Sequence, residues 1–222
     1  MPDREHLVRP PRILAPRDRD HAPREIESFL GRRDGRVLGV VAKLMRQWRR
    51  VPDRLLHPLR RRRVLRALRR APRPASLLVV CHGNMCRSPF AAALLRPAVS
   101  SNGGRVASAG FMAPGRPSPR EAVAAAARCG VDLSAHRSQL LTAHSVHAAQ
   151  LILVMDPAQR RQICDRFGRA YRDVLVLGDL DPHPVAARTI RDPVNQPPEV
   201  FEESYSRIAR CVRQLQQAIG QP

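Results

Sequence analysis

Four short runs of residues in the second part of the chain have the pattern of strands, and their spacing is typical of an α/β domain. They cover residues 77–80, 105–108, 151–155 and 174–177, and each has the length of a buried strand. The stretches between them are rich in apolar residues at helical spacing. Because strands and helices alternate, we predict a four-stranded parallel sheet with helices on both faces, the doubly wound arrangement. The predicted helices cover residues 89–99, 119–129, 136–149, 157–167 and 201–219.

The pattern is different in the first third of the chain. Residues 1–24 combine Pro, Arg and Asp with few apolar side chains, so we expect them to be disordered. Residues 35–50 carry apolar positions at helical spacing opposite basic ones, which predicts a short amphipathic helix. We expect Pro52 and Pro58 to interrupt any longer helix, because proline lacks an amide hydrogen and its ring clashes with the preceding turn. Residues 71–74 have the composition of a linker.

The charge distribution supports the same division. The 222-residue chain has a formal net charge of +20, and 38 of its 39 basic residues are arginine. Residues 1–75 contribute +14 (22 basic, 8 acidic) and residues 76–222 contribute +6 (17 basic, 11 acidic). We therefore predict an Arg-rich basic extension over residues 1–75, partly disordered with short amphipathic helices, followed by an α/β domain over residues 76–222.

The basic extension suggests an anionic partner. Residues 36–73 carry a net charge of +13, from 14 basic residues and Asp53. Such a surface suits anionic membrane lipids, nucleic acid or acidic polysaccharide. A stacking platform for nucleic acid needs several aromatic rings, and Trp48 is the one aromatic residue in this stretch, so an anionic membrane surface is favoured and nucleic acid is not. Three plainer interpretations stay open: a helix that packs on the α/β domain, a poorly ordered leader, or a gene model that begins upstream of the true start.

The cysteines bear on the compartment. Five cysteines, an odd number without the spacing of a disulfide framework, favour a reducing environment. The N-terminus is charged and Pro-rich, unlike a secretory signal, and the longest apolar stretch, residues 37–45, is too short to span a bilayer. We expect a cytoplasmic protein.

The candidate chemistry is concentrated between the first strand and the first helix of the α/β domain, where residues 81–88 read CHGNMCRS. A loop that enters a helix N-terminus presents free backbone N–H groups to an anion. Asn84 tolerates the left-handed turn that such a loop needs, and Arg87 can clamp two phosphate oxygens with its planar fork. The same positive field favours the thiolate form of Cys81, which a hydrogen bond from Ser88 can stabilise. The loop therefore predicts a phosphate-handling site with a cysteine nucleophile.

The segment over residues 80–89, VCHGNMCRSP, resembles the signature of the low-molecular-weight protein tyrosine phosphatases. The resemblance extends over about residues 76–219 and includes no part of residues 1–75. It implies the phosphotyrosine phosphatase I-like fold and the hydrolysis of phosphate monoesters, phosphotyrosine in proteins, with no metal and no other cofactor. The further points of similarity are Ser108-Ala109-Gly110, Gly130-Val131, His136-Arg137, residues 151–156, Asp192-Pro193 and residues 201–205.

The resemblance also implies roles for individual residues. Cys81 attacks phosphorus, Arg87 holds the phosphate oxygens, and Asp192 is the general acid and then the base for the hydrolytic water. Two other Asp-Pro pairs compete for that last role, but we expect Asp156 to cap a helix and Asp181 to be non-catalytic. The other loop residues are implied in binding the phosphate or its ester: His82, Gly83, Asn84, Met85, Cys86 and Ser88. The hydrogen-bond network that holds the loop in shape is implied to include Ser108 and His136.

The sequence departs from the family pattern where an aromatic substrate ring would bind. Relatives usually carry one or two tyrosines after the catalytic Asp-Pro, but here Val194-Asn195 follows it. Phe111 is the one aromatic candidate on the neighbouring loop. The preference for phosphotyrosine is therefore in question, and His82 is expected to supply part of the missing contact. For Cys86, a reversible disulfide with Cys81 and a plain buried cysteine at a helix start are both open.

Two other functions fit parts of the pattern. A thiol-dependent arsenate reductase uses the same fold and loop but needs two further cysteines close together on a flexible segment, whereas Cys129 and Cys164 are 35 residues apart. A polybasic binding protein with a vestigial phosphatase domain is disfavoured, because Cys81, Arg87 and Asp192 are all present. For a phosphatase, the resemblance suggests a bacterial tyrosine kinase of polysaccharide export as the protein substrate.

Overall fold

The computed structural model describes the backbone of residues 35–72 and 75–220, and the side chains from Asp53 onward within that part. The predicted disorder of residues 1–24 lies outside the described residues. The same holds for the side chains of the predicted amphipathic helix, including Trp48.

The sheet has the predicted four parallel strands. Strands β1 and β3 lie in the centre, and the spatial order is β2-β1-β3-β4. The central strands are buried on both sides, which is why they consist of aliphatic residues without alternation. The strands are β1 (Ser76–Cys81), β2 (Arg105–Gly110), β3 (Leu151–Val154) and β4 (Val174–Val176).

Six α-helices complete the described part of the chain. Two short 3-10 turns flank β4, at Tyr171–Asp173 and Leu177–Leu180. The helices are α1 (Gly35–Arg70), α2 (Arg87–Ser100), α3 (Arg120–Ala127), α4 (Ala143–Ala148), α5 (Pro157–Phe167) and α6 (Pro198–Gly220).

The predicted helix over residues 136–149 was wrong in its first half, since α4 begins only after Thr142. The Thr142 side chain accepts a hydrogen bond from the backbone of Ser145 and so caps the helix. The residues before the cap are extended along the end of β2, where the Leu141 amide donates to the Gly110 carbonyl at 2.7 Å. Pairing with β2 therefore outweighs the helical propensity of this stretch.

The predicted break of the first helix was also wrong. Helix α1 continues without interruption through Pro52 and Pro58. Each proline costs a helix about 3 kcal/mol. Burial of apolar side chains further along α1, including Val64 and Leu68, offsets that cost for the second half of the helix.

Two apolar clusters, one on each face of the sheet, form the core. Alternate residues of β1 enter different clusters: Leu77 and Val79 face helices α1, α2, α3 and α6, whereas Leu78 and Val80 face α4 and α5. Helices thus cover both faces, as predicted. None of the described helices is long and apolar enough to cross a lipid bilayer.

The second half of α1 is part of this core. Leu68 is 1 % exposed and lies in the same cluster as β1 and α6. The Nε2 N–H of buried His57 donates to the carbonyl oxygen of Asp181 at 2.9 Å, and Arg61 donates to Gln214 on α6. These contacts link α1 to the start of the loop that precedes α6 and to α6 itself.

We expect Leu68→Ala to lower the free energy of unfolding by about 2–5 kcal/mol, because it leaves a cavity in the core. Leu55→Ala, on the same helix, is the matched control: Leu55 is 72 % exposed, so its truncation should change stability by less than about 0.5 kcal/mol. Urea denaturation of the full chain measures both. Equal stability of the two variants would show that α1 is not packed on the domain.

Candidate active site

Cys81 is the last residue of β1, and Arg87 is the first residue of α2. The intervening loop therefore lies at the carboxyl end of the central strand, where the helix N-terminus presents its free amides. Asn84 has the left-handed backbone conformation that was predicted for it, with φ of 51°. This conformation folds the loop back on itself.

The Asn84 side chain fixes that turn from two sides. Its Nδ2 donates to the Ser88 hydroxyl at 2.9 Å, and its Oδ1 accepts from the Gln139 amide at 2.7 Å. The backbone carbonyl of Asn84 accepts a hydrogen bond from His136 Nε2 at 2.7 Å. The structure thus places His136 against the loop, as the sequence suggested, and adds Gln139, which acts through its backbone and so leaves no trace in the side-chain pattern.

Ser88 connects this network to the candidate nucleophile. Its Oγ lies 3.0 Å from the Cys81 sulfur and is oriented to donate to it. The same hydroxyl is 3.5 Å from the carbonyl oxygen of Ala109. Ser88 is fully buried and Cys81 is 2 % exposed, so the sulfur lies at the bottom of the loop with one hydroxyl beside it.

Strand β2 forms a wall of the loop through its backbone. A Cβ atom on Gly110 would lie 2.7 Å from the Asn84 nitrogen and 2.8 Å from the His82 carbonyl oxygen, so only glycine fits there. The Phe111 amide donates to that same His82 carbonyl at 2.8 Å. The side chain of Ser108 makes no hydrogen bond to the described residues.

Cys86 lies on the inner side of the loop. Burial, together with the negative charge of the nearby Cys81 thiolate, raises the pKa of the Cys86 thiol to about 12, so Cys86 stays protonated at neutral pH. Its carbonyl oxygen accepts a hydrogen bond from the Tyr205 hydroxyl at 3.3 Å. The Tyr205 ring stacks on Phe90 with centroids 4.1 Å apart, which anchors the loop to α6.

Arg87 joins the loop to the segment that carries Asp192. Its Nη2 forms an ion pair with the Asp192 carboxylate, and its Nη1 donates to the Ile190 carbonyl at 3.0 Å. The arginine side chain is 4 % exposed and the aspartate side chain 40 %. The carboxylate is therefore both held at the loop and open to solvent, which a group that transfers protons requires.

The other two Asp-Pro pairs have different surroundings. Asp156 caps α5, as predicted, and accepts from the Gln159 amide at 2.8 Å. Asp181 is fully buried and lies within 3.3 Å of Arg207 and 3.1 Å of Arg210. Of the three aspartates, Asp192 is the one that contacts Arg87.

The mouth of the loop is poor in aromatic side chains. His82 is exposed there, while Phe111 is half-buried against the core and Met112 is 40 % exposed. Val194, directly after Asp192-Pro193, packs against the core as well. The thin aromatic lining that the sequence indicated is a feature of the folded chain.

A buried cysteine at a strand end, an arginine at the following helix start and a carboxylate on that arginine are the arrangement of a cysteine-dependent phosphatase. The chain belongs to the low molecular weight phosphotyrosine protein phosphatase family, whose model matches residues 76–222. The family recognised in the sequence is thereby confirmed.

The chain is similar in sequence to named tyrosine phosphatases and in structure to solved phosphatases of the same fold. The probable low molecular weight protein-tyrosine-phosphatase EpsP of Ralstonia nicotianae is 42% identical over 138 residues, covering 62% of this chain and 90% of EpsP. The crystal structure of Erwinia amylovora tyrosine phosphatase AmsI matches with a TM-score of 0.60 at 30% identity, over 66% of this chain and 94% of AmsI. The YwlE arginine phosphatase from Geobacillus stearothermophilus matches with a TM-score of 0.59 at 28% identity, over 66% and 93%.

Proposed function

We propose that this chain is a protein-tyrosine-phosphatase that works through a phosphocysteine intermediate on Cys81, with Asp192 as general acid and base. The observation that carries the proposal is the Arg87–Asp192 ion pair. It brings the carboxylate to the rim of the loop in which the Ser88 hydroxyl faces the Cys81 sulfur at 3.0 Å. Family membership and relatives named as tyrosine phosphatases support the same conclusion.

In the first step, the Cys81 thiolate attacks phosphorus in line with the ester oxygen. The S–P bond forms as the P–O bond to the tyrosine breaks, and protonated Asp192 gives its proton to the departing phenolate. Arg87 and the amides of residues 82–88 hold the three equatorial oxygens, whose negative charge is greatest in the transition state.

In the second step, the Asp192 carboxylate takes a proton from a water molecule that attacks the phosphocysteine. The O–P bond forms, the S–P bond breaks, and inorganic phosphate leaves with Cys81 again a thiolate. The hydrogen bond from Ser88 favours this step because it stabilises the sulfur as a leaving group. Neither step requires a metal or a cofactor.

The remaining loop residues serve binding and shape in this proposal. His82, exposed at the mouth, contacts the esterified group of the substrate. The amides of Gly83, Met85 and Cys86 bind phosphate oxygens, and Met85 is held by a hydrogen bond from Ser118 to its carbonyl at 2.7 Å. Asn84 and His136 keep the loop in its binding conformation.

The substrate class is the part of the proposal that needs a direct test. Hydrolysis of phosphoarginine is the second candidate, because the thin aromatic lining gives a phenyl ring few contacts and an arginine phosphatase has a similar fold. We expect a peptide carrying phosphotyrosine to be hydrolysed with kcat/KM at least about tenfold higher than the same peptide carrying phosphoarginine. A higher kcat/KM for the phosphoarginine peptide would show that the protein is an arginine phosphatase instead.

We further propose a cytoplasmic location and, as protein substrate, a bacterial tyrosine kinase of polysaccharide export. An anionic membrane surface is the proposed partner of α1. Its solvent side, opposite buried His57 and Leu68, presents Leu55 and Leu59 with 72 % and 58 % exposure and a row of arginines beyond them. The arginines of that row are Arg62, Arg66 and Arg70.

Sedimentation with vesicles tests the membrane proposal. We expect the full chain to bind vesicles that contain phosphatidylserine, and Leu55→Ser combined with Leu59→Ser to weaken binding by about thirtyfold or more, since each lost apolar contact contributes about 1 kcal/mol or more. Arg213→Ala on α6 is the control. Equal binding of the double variant and the wild type, or none by either, would contradict the proposal.

A further inference from the structure

A cavity of about 470 Å³ lies between α1 and the end of the sheet next to β4. Its size is within the range of small-molecule sites, roughly 300–1,000 Å³. None of the residues 81–88 of the catalytic loop lines it. The cavity is therefore separate from the site of phosphate hydrolysis.

Five arginines from four segments converge on this cavity. They come from α1, from α5, from the turn before β4 and from the loop before α6. One acidic residue lines the cavity, Asp179, and both its oxygens are taken by Arg188 at 2.6 and 2.9 Å. The arginines are Arg60, Arg63, Arg160, Arg172 and Arg188.

The other arginines are less well neutralised. Arg60 pairs with Asp53 at 2.6 Å, but Arg63 has no ion pair among the described residues. The Arg172 side chain is 87 % exposed, and Asp173 is 3.8 Å from its Nε. The five arginines are accompanied by three carboxylates, those of Asp53, Asp173 and Asp179. The cavity and its immediate surroundings therefore keep a surplus of two positive charges.

Arg160 is the least satisfied member of the group. Burial lowers the pKa of its guanidinium, and repulsion by the neighbouring Arg188 lowers it further. Its guanidinium lies 5.0 Å above the Tyr171 ring and donates to the Tyr171 carbonyl. Its Nε is buried and has no hydrogen-bond partner among the described residues. A buried N–H donor without a partner and a positive charge both favour the binding of an anion.

The rest of the cavity wall is apolar. Val64 and Ala67 contribute from α1, and Leu175 and Val176 from β4. Planar guanidinium groups suit phosphate oxygens, whereas aliphatic side chains suit an organic group. The combination and the size fit a small organic molecule with several phosphates better than inorganic phosphate alone.

We propose that the cavity between α1 and β4 binds a small organic polyphosphate of nucleotide size. The site is made jointly by the basic helix and the α/β domain, so it gives the arginine-rich segment a defined ligand. It is independent of the proposed substrate of the catalytic loop.

Isothermal titration of the full chain with ATP, at about 150 mM salt so that long-range attraction is screened, tests the proposal. Inorganic tripolyphosphate and adenosine are the comparison probes. We expect saturable binding of ATP, weaker binding of tripolyphosphate, and no binding of adenosine.

Arg63→Ala combined with Arg172→Ala should weaken ATP binding by about tenfold or more, because two charge-assisted contacts are lost. Hydrolysis of an aryl phosphate should be unchanged in this variant, which also shows that it is folded.

Two controls separate the cavity from other anion sites. Arg69→Ala combined with Arg161→Ala removes the same charge from exposed positions on α1 and α5 that do not line the cavity, and should leave ATP affinity within about twofold. Arg87→Ala should abolish binding of phosphate to the catalytic loop but retain ATP binding. Loss of ATP binding in Arg87→Ala, equal losses in the two double variants, or no saturable ATP binding by the wild type would each overturn the proposal.

Discussion

Replacement of Cys81 by serine should reduce kcat for an aryl phosphate by at least about 10⁴-fold, because a neutral hydroxyl is a far weaker nucleophile than a thiolate. The loop should survive the change, since a serine hydroxyl at position 81 can accept the Ser88 hydrogen bond in place of the sulfur, and the Asn84 bonds do not involve Cys81. Stopped assays with p-nitrophenyl phosphate measure the loss. Equilibrium binding of phosphate measures whether the loop remains intact.

The chain supplies a matched control for this change. Cys129 is exposed just after α3, and its thiol makes no hydrogen bond to the described residues, so Cys129→Ser should leave kcat unchanged. Phosphatase turnover by Cys81→Ser within tenfold of the wild type would remove Cys81 as the nucleophile. Loss of turnover in Cys129→Ser would instead point to a relay of thiols, the chemistry of an arsenate reductase.

Replacement of Asp192 by asparagine should lower kcat/KM by about 10²- to 10⁴-fold for phenyl phosphate, since the leaving phenolate is no longer protonated. The loss should be smaller for p-nitrophenyl phosphate, whose leaving group is more stable as an anion. In the wild type the acid must carry its proton at the start of the reaction, so activity should decline at high pH. That decline at high pH should be absent in Asp192→Asn.

Asp156→Asn is the control for the acid, because Asp156 also precedes a proline and asparagine caps a helix as well as aspartate does. It should retain the activity and the pH profile of the wild type. A decline at high pH that persists in Asp192→Asn would show that another group protonates the leaving oxygen.

The fold of residues 76–220 was predictable because three of its four strands, β1, β3 and β4, are largely continuous apolar runs. Val80 and Val154 are fully buried and pair in neighbouring parallel strands, and such strands carry a strong signal in a single sequence. The cysteine loop was predictable for a different reason: Asn84 and Arg87 occupy positions with special local geometry, a left-handed turn and the start of a helix.

The features that the sequence did not reveal depend on distant contacts. Nothing near Pro58 indicates that α1 continues, because the compensating contacts are made with α6 and with Asp181, 124 residues away from His57. Gln139 supports Asn84 through a backbone amide that every residue except proline possesses. The start of α4 depends on whether residues 136–141 can pair with β2, which local propensity does not encode.

The ion pair between Arg87 and Asp192 makes the protein's own carboxylate an internal competitor of its substrate. In the proposed mechanism, a phosphate that occupies the Arg87 fork displaces Asp192 and so frees the acid for the ester oxygen. Substrate binding and release of the acid are then one exchange reaction at one guanidinium. Since the tethered carboxylate is present at a high effective concentration, we expect it to compete better with monoanions than with a phosphate dianion, which carries more charge. The loop therefore selects by charge before the side chains at its mouth select by shape.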